Sequence, residues 1–308
     1  MNIRSLINKF RESQYGRNEE LRIQVGALHA AMNRCIDKRV KNLWDVEVKV
    51  FSQWGEDGIL DYLFYSLGLI KPRILELGAG NFSECNSRFA AHILNASVYA
   101  VDSREDLPVG LSRSGLMWRN SIFSEVIEIE DNNVVAITKR ASKALGGIDV
   151  ISVDIDGNDY WVMKNIPLNG VLVVVVEYNP IFGKDFRVSV PYEKKSRFER
   201  HRSGLLFGGS LPAFIDLLKE KNFTFVGTNR VGNNAFFVDA EKVDNINVEI
   251  PNLRFLDKFV DWRCREARDD HGELTYETIE SNQGLIDKFV VVEVATGTKT
   301  TLGELRHC

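Results

Sequence analysis

The sequence predicts an α/β fold: a doubly wound, mostly parallel sheet of seven strands ending in an antiparallel hairpin, with N-terminal helices and a C-terminal α+β appendage. Three observations lead there. Between residues 50 and 240, short β-rich apolar runs alternate with helical stretches, the order in which a doubly wound domain reads. The run Val171-Leu-Val-Val-Val-Val has no polar alternation, as expected of a central parallel strand covered on both faces. The last two runs, Thr224 to Thr228 and Ala235 to Val238, are close enough to pair with each other.

In chain order, residues 1–48 place Ile3, Leu6, Ile7 and Phe10, then Leu21, Val25, Leu28 and Met32, at helical spacing around an interruption at Tyr15-Gly16. This predicts two helices that pack on the core or on a second copy. Residues 49–240 form the main domain, with strands at Arg73 to Leu77, Ser97 to Val101, Val126 to Ile129, Asp149 to Val153, Val171 to Val176, and the two of the hairpin. Residues 241–308 form the appendage, with a helix at Leu253 to Arg268 and a strand at Lys288 to Val294.

The 308 residues are 44% hydrophobic and 27% charged, which describes an ordered globular chain. A formal charge of -4 leaves no global positive field for nucleic acid or anionic lipid. Cys35, Cys85, Cys264 and Cys308 form no CxxC pair, which argues against a zinc site and a disulfide framework and predicts a reducing compartment, the cytoplasm. The longest apolar runs are too short to span a bilayer.

The chemistry concentrates in Arg73-Ile-Leu-Glu-Leu-Gly-Ala-Gly-Asn-Phe-Ser-Glu, a strand running into a Gly-rich turn. Gly78, Ala79 and Gly80 let a ligand approach the backbone, and a following helix start offers free N–H groups. Ser83 stands where a dinucleotide fingerprint has its third glycine, and Glu76 would repel a pyrophosphate but attract an ammonium group. Asp102, followed by Ser103, ends the next strand and is placed to accept two ribose hydroxyls. A ligand with ribose and ammonium but no phosphate is S-adenosylmethionine.

Four stretches together resemble the class I S-adenosylmethionine-dependent methyltransferases, and within them the FkbM-like family. They are Phe51-Ser-Gln-Trp-Gly-Glu-Asp-Gly-Ile-Leu, Leu75-Glu-Leu-Gly-Ala-Gly, Ser152-Val-Asp-Ile-Asp-Gly-Asn-Asp-Tyr and Gly232-Asn-Asn-Ala-Phe-Phe-Val. The resemblance implies a Rossmann-like sheet and methyl transfer to an oxygen of a sugar, polysaccharide precursor or glycosylated natural product. It also implies that Gln53 lines the cofactor pocket, beside Glu76, Gly78, Ala79, Gly80, Asp102, Ser103 and Asp154. Where many family members have Asp-x-Glu-Gly, this chain has Asp154-Ile-Asp156-Gly-Asn-Asp159.

Such a carboxylate cluster at a strand end can bind a divalent cation such as Mg, orient a hydroxyl or take its proton; Asp and Asn also cap helices without any chemistry. Asp156 and Glu177 are the candidate cation ligands, and Asp154 or His201 the candidate base. The segment 183–204 carries seven Lys and Arg against three acidic residues. It reads as a basic lid in which Arg197, Arg200 and Arg202, with Asn179 below, would bind an anionic acceptor; a solvated surface run is the other reading. Two rivals remain. A nicotinamide-dependent oxidoreductase is disfavoured by Glu76 and Ser83, and a non-catalytic assembly protein would use the two ends of the chain to bind partners.

Overall fold

A computed structural model of the chain describes residues 3–36, 39–251, 253 and 263–307. The main sheet has seven strands in the order β3-β2-β1-β4-β5-β8-β7. They are β1 (Arg73–Leu77), β2 (Ser97–Asp102), β3 (Ile122–Val126), β4 (Val150–Val153), β5 (Val173–Glu177), β7 (Phe223–Thr228) and β8 (Asn234–Asp239). β1 to β5 are parallel, while β8 runs antiparallel to both β5 and β7. This is the doubly wound, Rossmann-like sheet with its terminal hairpin.

Alternate residues of each strand feed two cores, because successive side chains leave opposite faces. Leu75, Leu77, Ile151, Val153, Val174 and Val176 pack against α5 (Val134–Leu145), α6 (Asp159–Asn165) and α8 (Leu211–Glu220). Ile74, Val150, Val173, Val175 and Phe236 pack on the other side, against α2 (Glu56–Ser66). Further along that side, Val98, Ala100 and Ile122 meet α4 (Leu107–Arg113). With both faces covered, the strand ends are where polar chemistry can collect.

Three expectations need correction. The third strand is Ile122–Val126, four residues earlier than the run at Val126 to Ile129. It is an edge strand carrying Ser124 and Glu125, so its burial alternates weakly and the more apolar run behind it imitates a strand. The N-terminal segment is one helix, α1 (Ile3–Arg34), not two. A glycine costs a helix interior only about 1 kcal/mol, and no proline follows Gly16 to break the chain. Leu21, Val25, Leu28 and Met32 do not pack on the core but are exposed; Ile3, Leu6, Ile7 and Phe10 lie outside the described side chains.

The basic segment and the C-terminal part of the chain are joined. β6 (Val188–Ser189) pairs with β9 (Val290–Glu293), which pairs with β10 (Lys299–Thr301). Beneath this small sheet Ile181, Phe182, Leu205, Cys264, Ile286 and Leu302 form one core. Of the helix predicted at Leu253 to Arg268, residues 254–262 lie outside the described residues. No helix among the described residues is long and apolar enough to cross a membrane.

Candidate active site

A cavity of about 1060 Å³ opens at the carboxyl ends of β1, β2, β4 and β5. Its floor is the turn after β1. Gly78 sits there at φ +91°, and a Cβ on it would fall 1.6 Å from the Asp154 carbonyl oxygen, so the glycine is dictated by the crossing of two chain segments. Gly80, at φ +56°, would place a Cβ in open space. Its requirement is conformational. Ala79 is buried among Val98, Ala100 and Leu107 and does not line the cavity, contrary to expectation.

Asp102 stands at the tip of β2 with its carboxylate oriented from below. Oδ2 accepts the Gly80 N–H at 2.7 Å and Oδ1 the Arg104 N–H at 2.9 Å. Ser103 and the exposed Gln53 line the same space. Glu76 also reaches the cavity, but its oxygens accept the N–H groups of Asn86 (2.6 Å) and Ser87 (3.1 Å) and the Ser87 hydroxyl. Burial pushes its carboxyl up from the ordinary value. Its evident work is to fix the start of α3 (Arg88–Ile93).

At the ends of β4 and β5, three carboxylates come together. Asp154, Asp159 and Glu177 each present an oxygen within 4.8 Å of the others. Burial, then the charge of Glu177, pushes the Asp154 carboxyl well up; burial and Glu177 push Asp159 to about 7. Glu177 is raised by burial too, opposed by the guanidinium of Arg263, whose Nη2 lies 2.8 Å from Oε1. Asp156 is not in the cluster. It sits at φ +55° and pairs with Arg197 Nη1 at 3.1 Å.

The predicted cation ligands, Asp156 and Glu177, are not brought together, and two of the three carboxylates that do meet, Asp159 and Glu177, already hold other partners. Asp159 gives its oxygens to the N–H groups of Ile155 (2.8 Å) and Gly157 (3.0 Å), and a buried arginine already supplies the positive charge beside Glu177. Oxygen-only cation sites need several free carboxylate or carbonyl donors. Arg263 had no motif to announce it; it lies in the C-terminal segment and reaches the cavity only through the tertiary fold.

The structure disperses the rest of the predicted acceptor site. His201 faces away from the cavity, with Nδ1 2.8 Å from Ser203 Oγ and its ring 5.3 Å from that of Phe289. Burial and Arg202 lower its pKa. Asn179 is buried and donates to the carbonyls of Leu205 (2.8 Å) and Phe207 (3.1 Å), so it ties β5 to the segment above it. Arg200 donates to the carbonyls of Pro191 and Glu193, both at 2.8 Å, and to Asn158 Oδ1 at 2.7 Å, bracing the loop from within. Arg202 is a surface partner of Asp270. Arg197 does line the cavity, on α7 (Arg197–Arg200), with Lys194, Lys195, Phe198 and Arg268 around it.

Two further residues at the cavity escaped the sequence reading. Glu56 is fully buried, accepts from Asn229 (2.6 Å) and Asn234 (2.8 Å), and takes the Trp54 N–H at 2.9 Å. Phe198, half exposed, forms part of the mouth, with Arg197 5.4 Å and Arg268 5.6 Å from its ring.

No protein-family model matches the chain, and no curated protein matches it. Among solved structures, it is similar to a chain of a fibrillarin/Nop5p complex at 16% identity and a TM-score of 0.32, over 65% of this chain and 90% of that one. It is also similar to an O-methyltransferase family 2 protein from Planctomyces limnophilus in complex with apigenin, at 10% identity and a TM-score of 0.32. There the likeness covers 54% of this chain and 50% of that one.

Proposed function

We propose that the chain is an S-adenosylmethionine-dependent methyltransferase of the FkbM-like kind, acting on a hydroxyl oxygen of a sugar or other small-molecule acceptor. One observation carries the reading. The four stretches that resemble the family, far apart in sequence, all reach the wall of a single cavity: Gln53 and Glu56 from the first, Glu76, Gly78 and Gly80 from the second, Asp154 to Asn158 from the third and Asn234 from the fourth.

The cofactor, when bound, supplies a methyl group already activated on a sulfonium. What remains for the protein is alignment, exclusion of water and removal of one proton. Asp102, held by two backbone amides, would accept the ribose hydroxyls, and Gly80 leaves space above it. The Asp154–Glu177 pair, held beside Arg263, would be placed to accept the proton that the acceptor hydroxyl gives up. Lys194, Lys195 and Arg197 at the mouth pair with Glu130, Glu193 and Asp156, and with Arg268 they would favour an acceptor whose phosphate or carboxylate takes the place of those partners. We take the methyltransferase domain as residues 49–240, and the chain as a cytoplasmic protein.

Calorimetric titration with S-adenosylmethionine and S-adenosylhomocysteine tests the reading. Saturable binding is expected, with affinity reduced by roughly a hundredfold or more in Asp102→Ala, since two charge-assisted hydrogen bonds are lost. Failure of both ligands to bind, or binding of a nicotinamide dinucleotide instead, would overturn it. Labelled methyl transfer to hydroxylated acceptors then tests the reaction, with Glu177→Gln expected to lower kcat more than it changes KM.

A further inference from the structure

One face of α1 carries an apolar stripe that nothing among the described residues covers. Leu21, Val25, Leu28 and Met32 are 59%, 57%, 64% and 61% exposed, far more than isolated surface residues need to be. Their spacing is four, three, four, the a/d spacing of a helix seam. Asn18 and the exposed Cys35 continue it at both ends.

The opposite face is the one that docks on the domain. Gly26 allows close approach, since a Cβ there would lie 2.2 Å from Val50 Cγ2, and Ala30 is fully buried. Glu19 pairs with Arg88 at 2.6 Å, Arg34 Nε donates to Asp61 at 2.9 Å, and Asn33 donates to the Val46 carbonyl at 2.9 Å. The helix is therefore oriented by its polar contacts, and its apolar stripe is presented outward.

The charges choose the occupant. A lipid surface calls for Lys and Arg beside the stripe, but among the described side chains of α1 the two arginines turn inward, Arg22 to the Val50 carbonyl and Arg34 to Asp61. Gln24, His29 and Ala31 border the seam. Neutral borders of this kind suit a second copy of the same face, which meets itself without like-charge repulsion.

We propose that two copies of this chain associate through α1 in an antiparallel, two-fold pairing. Leu21 then faces the partner's Met32, Val25 faces the partner's Leu28, and Asn18 faces the partner's Cys35. The register is self-complementary: each layer joins one a position to one d position, and the two-fold axis falls between Val25 and Leu28. A seam of four side chains per copy belongs at the small end of specific interfaces, below about 1,200 Å² in total, so the dimer dissociates on dilution.

Sedimentation equilibrium of the full chain over a wide concentration range tests this. A monomer–dimer equilibrium is expected, with the dissociation constant raised by roughly a hundredfold or more in the double variant Leu21→Glu, Leu28→Glu, both sites being exposed. A monomer at every concentration, or a dimer indifferent to the double substitution, would refute it. Orientation is read separately under oxidising conditions. Asn18→Cys is expected to form a covalent dimer through Cys35, while the unsubstituted chain forms none, because its two Cys35 residues stand about 25 Å apart along the antiparallel pair. A Cys35-to-Cys35 disulfide in the unsubstituted chain would overturn the antiparallel register. Binding of the unsubstituted chain, but not the double variant, to vesicles of anionic phospholipid would give the stripe to a membrane instead.

Discussion

At the scale of single residues, two glycines of one turn carry different burdens. Gly78 is fixed by the Asp154 carbonyl, 1.6 Å from where a Cβ would sit, while Gly80 meets nothing within 4 Å. Gly78→Ala is accordingly expected to cost more than about 3 kcal/mol, through a backbone clash added to left-handed strain, whereas Gly80→Ala costs about 1 kcal/mol. Chemical denaturation of both variants measures the contrast; equal losses would contradict it. The sequence made Glycine 78 and 80 visible as a pair but could not separate them, because the distinction depends on a segment 76 residues later in the chain. Glu76 was likewise visible as a carboxylate at a strand end, while its commitment to Asn86 and Ser87 was not.

At the scale of elements, the β7–β8 turn hangs on one buried side chain. Asn229 Oδ1 accepts the N–H groups of Gly232 (3.0 Å), Asn233 (3.1 Å) and Asn234 (3.2 Å), while Nδ2 donates to Glu56 at 2.6 Å. Asn229→Ala would strand the turn amides of Asn233 and Asn234 and remove one of the three donors to the buried Glu56, and a loss of about 2 kcal/mol or more is expected. Hydrogen exchange would show the loss as early opening of β7 and β8; unchanged protection there would argue against the turn as the hairpin's anchor. The hairpin itself was legible from two adjacent apolar runs, and the buried strands were legible because they lack polar alternation. The edge strand β3 was not. Half of it faces solvent, so composition no longer distinguishes it from the loop that follows.

At the scale of the whole molecule, the C-terminal segment completes the cavity through Arg263, which is buried against Glu177 at 2.8 Å and Glu266 at 2.6 Å. Arg263→Met would leave Glu177 as an uncompensated buried charge, and a loss of about 3–5 kcal/mol is expected in a thermal or urea melt. The neighbouring Asp159 gives the fold a pH dependence of definite sign. Its carboxyl rises from 3.8 to about 7, so the folded state holds the proton more tightly than the unfolded state. That contribution stabilises fully below the unfolded value and is lost as pH rises through about 7. Asp159→Asn is expected to flatten the decline of Tm between acid and neutral pH; a slope unchanged by the substitution would remove Asp159 as its source. By itself the sequence determined the α/β class, the hairpin and the strand ends where polar residues gather, because periodicity and Gly-rich turns are local signals. Only the tertiary structure decided that Asp154, Asp159 and Glu177 meet one another beside Arg263, that Asp156 pairs with Arg197 instead, that Asn179 and His201 turn elsewhere, and that α1 presents an apolar face away from the domain. Those outcomes depend on which distant segments pack together, and the energy of burying a charge depends on neighbours that no local pattern encodes.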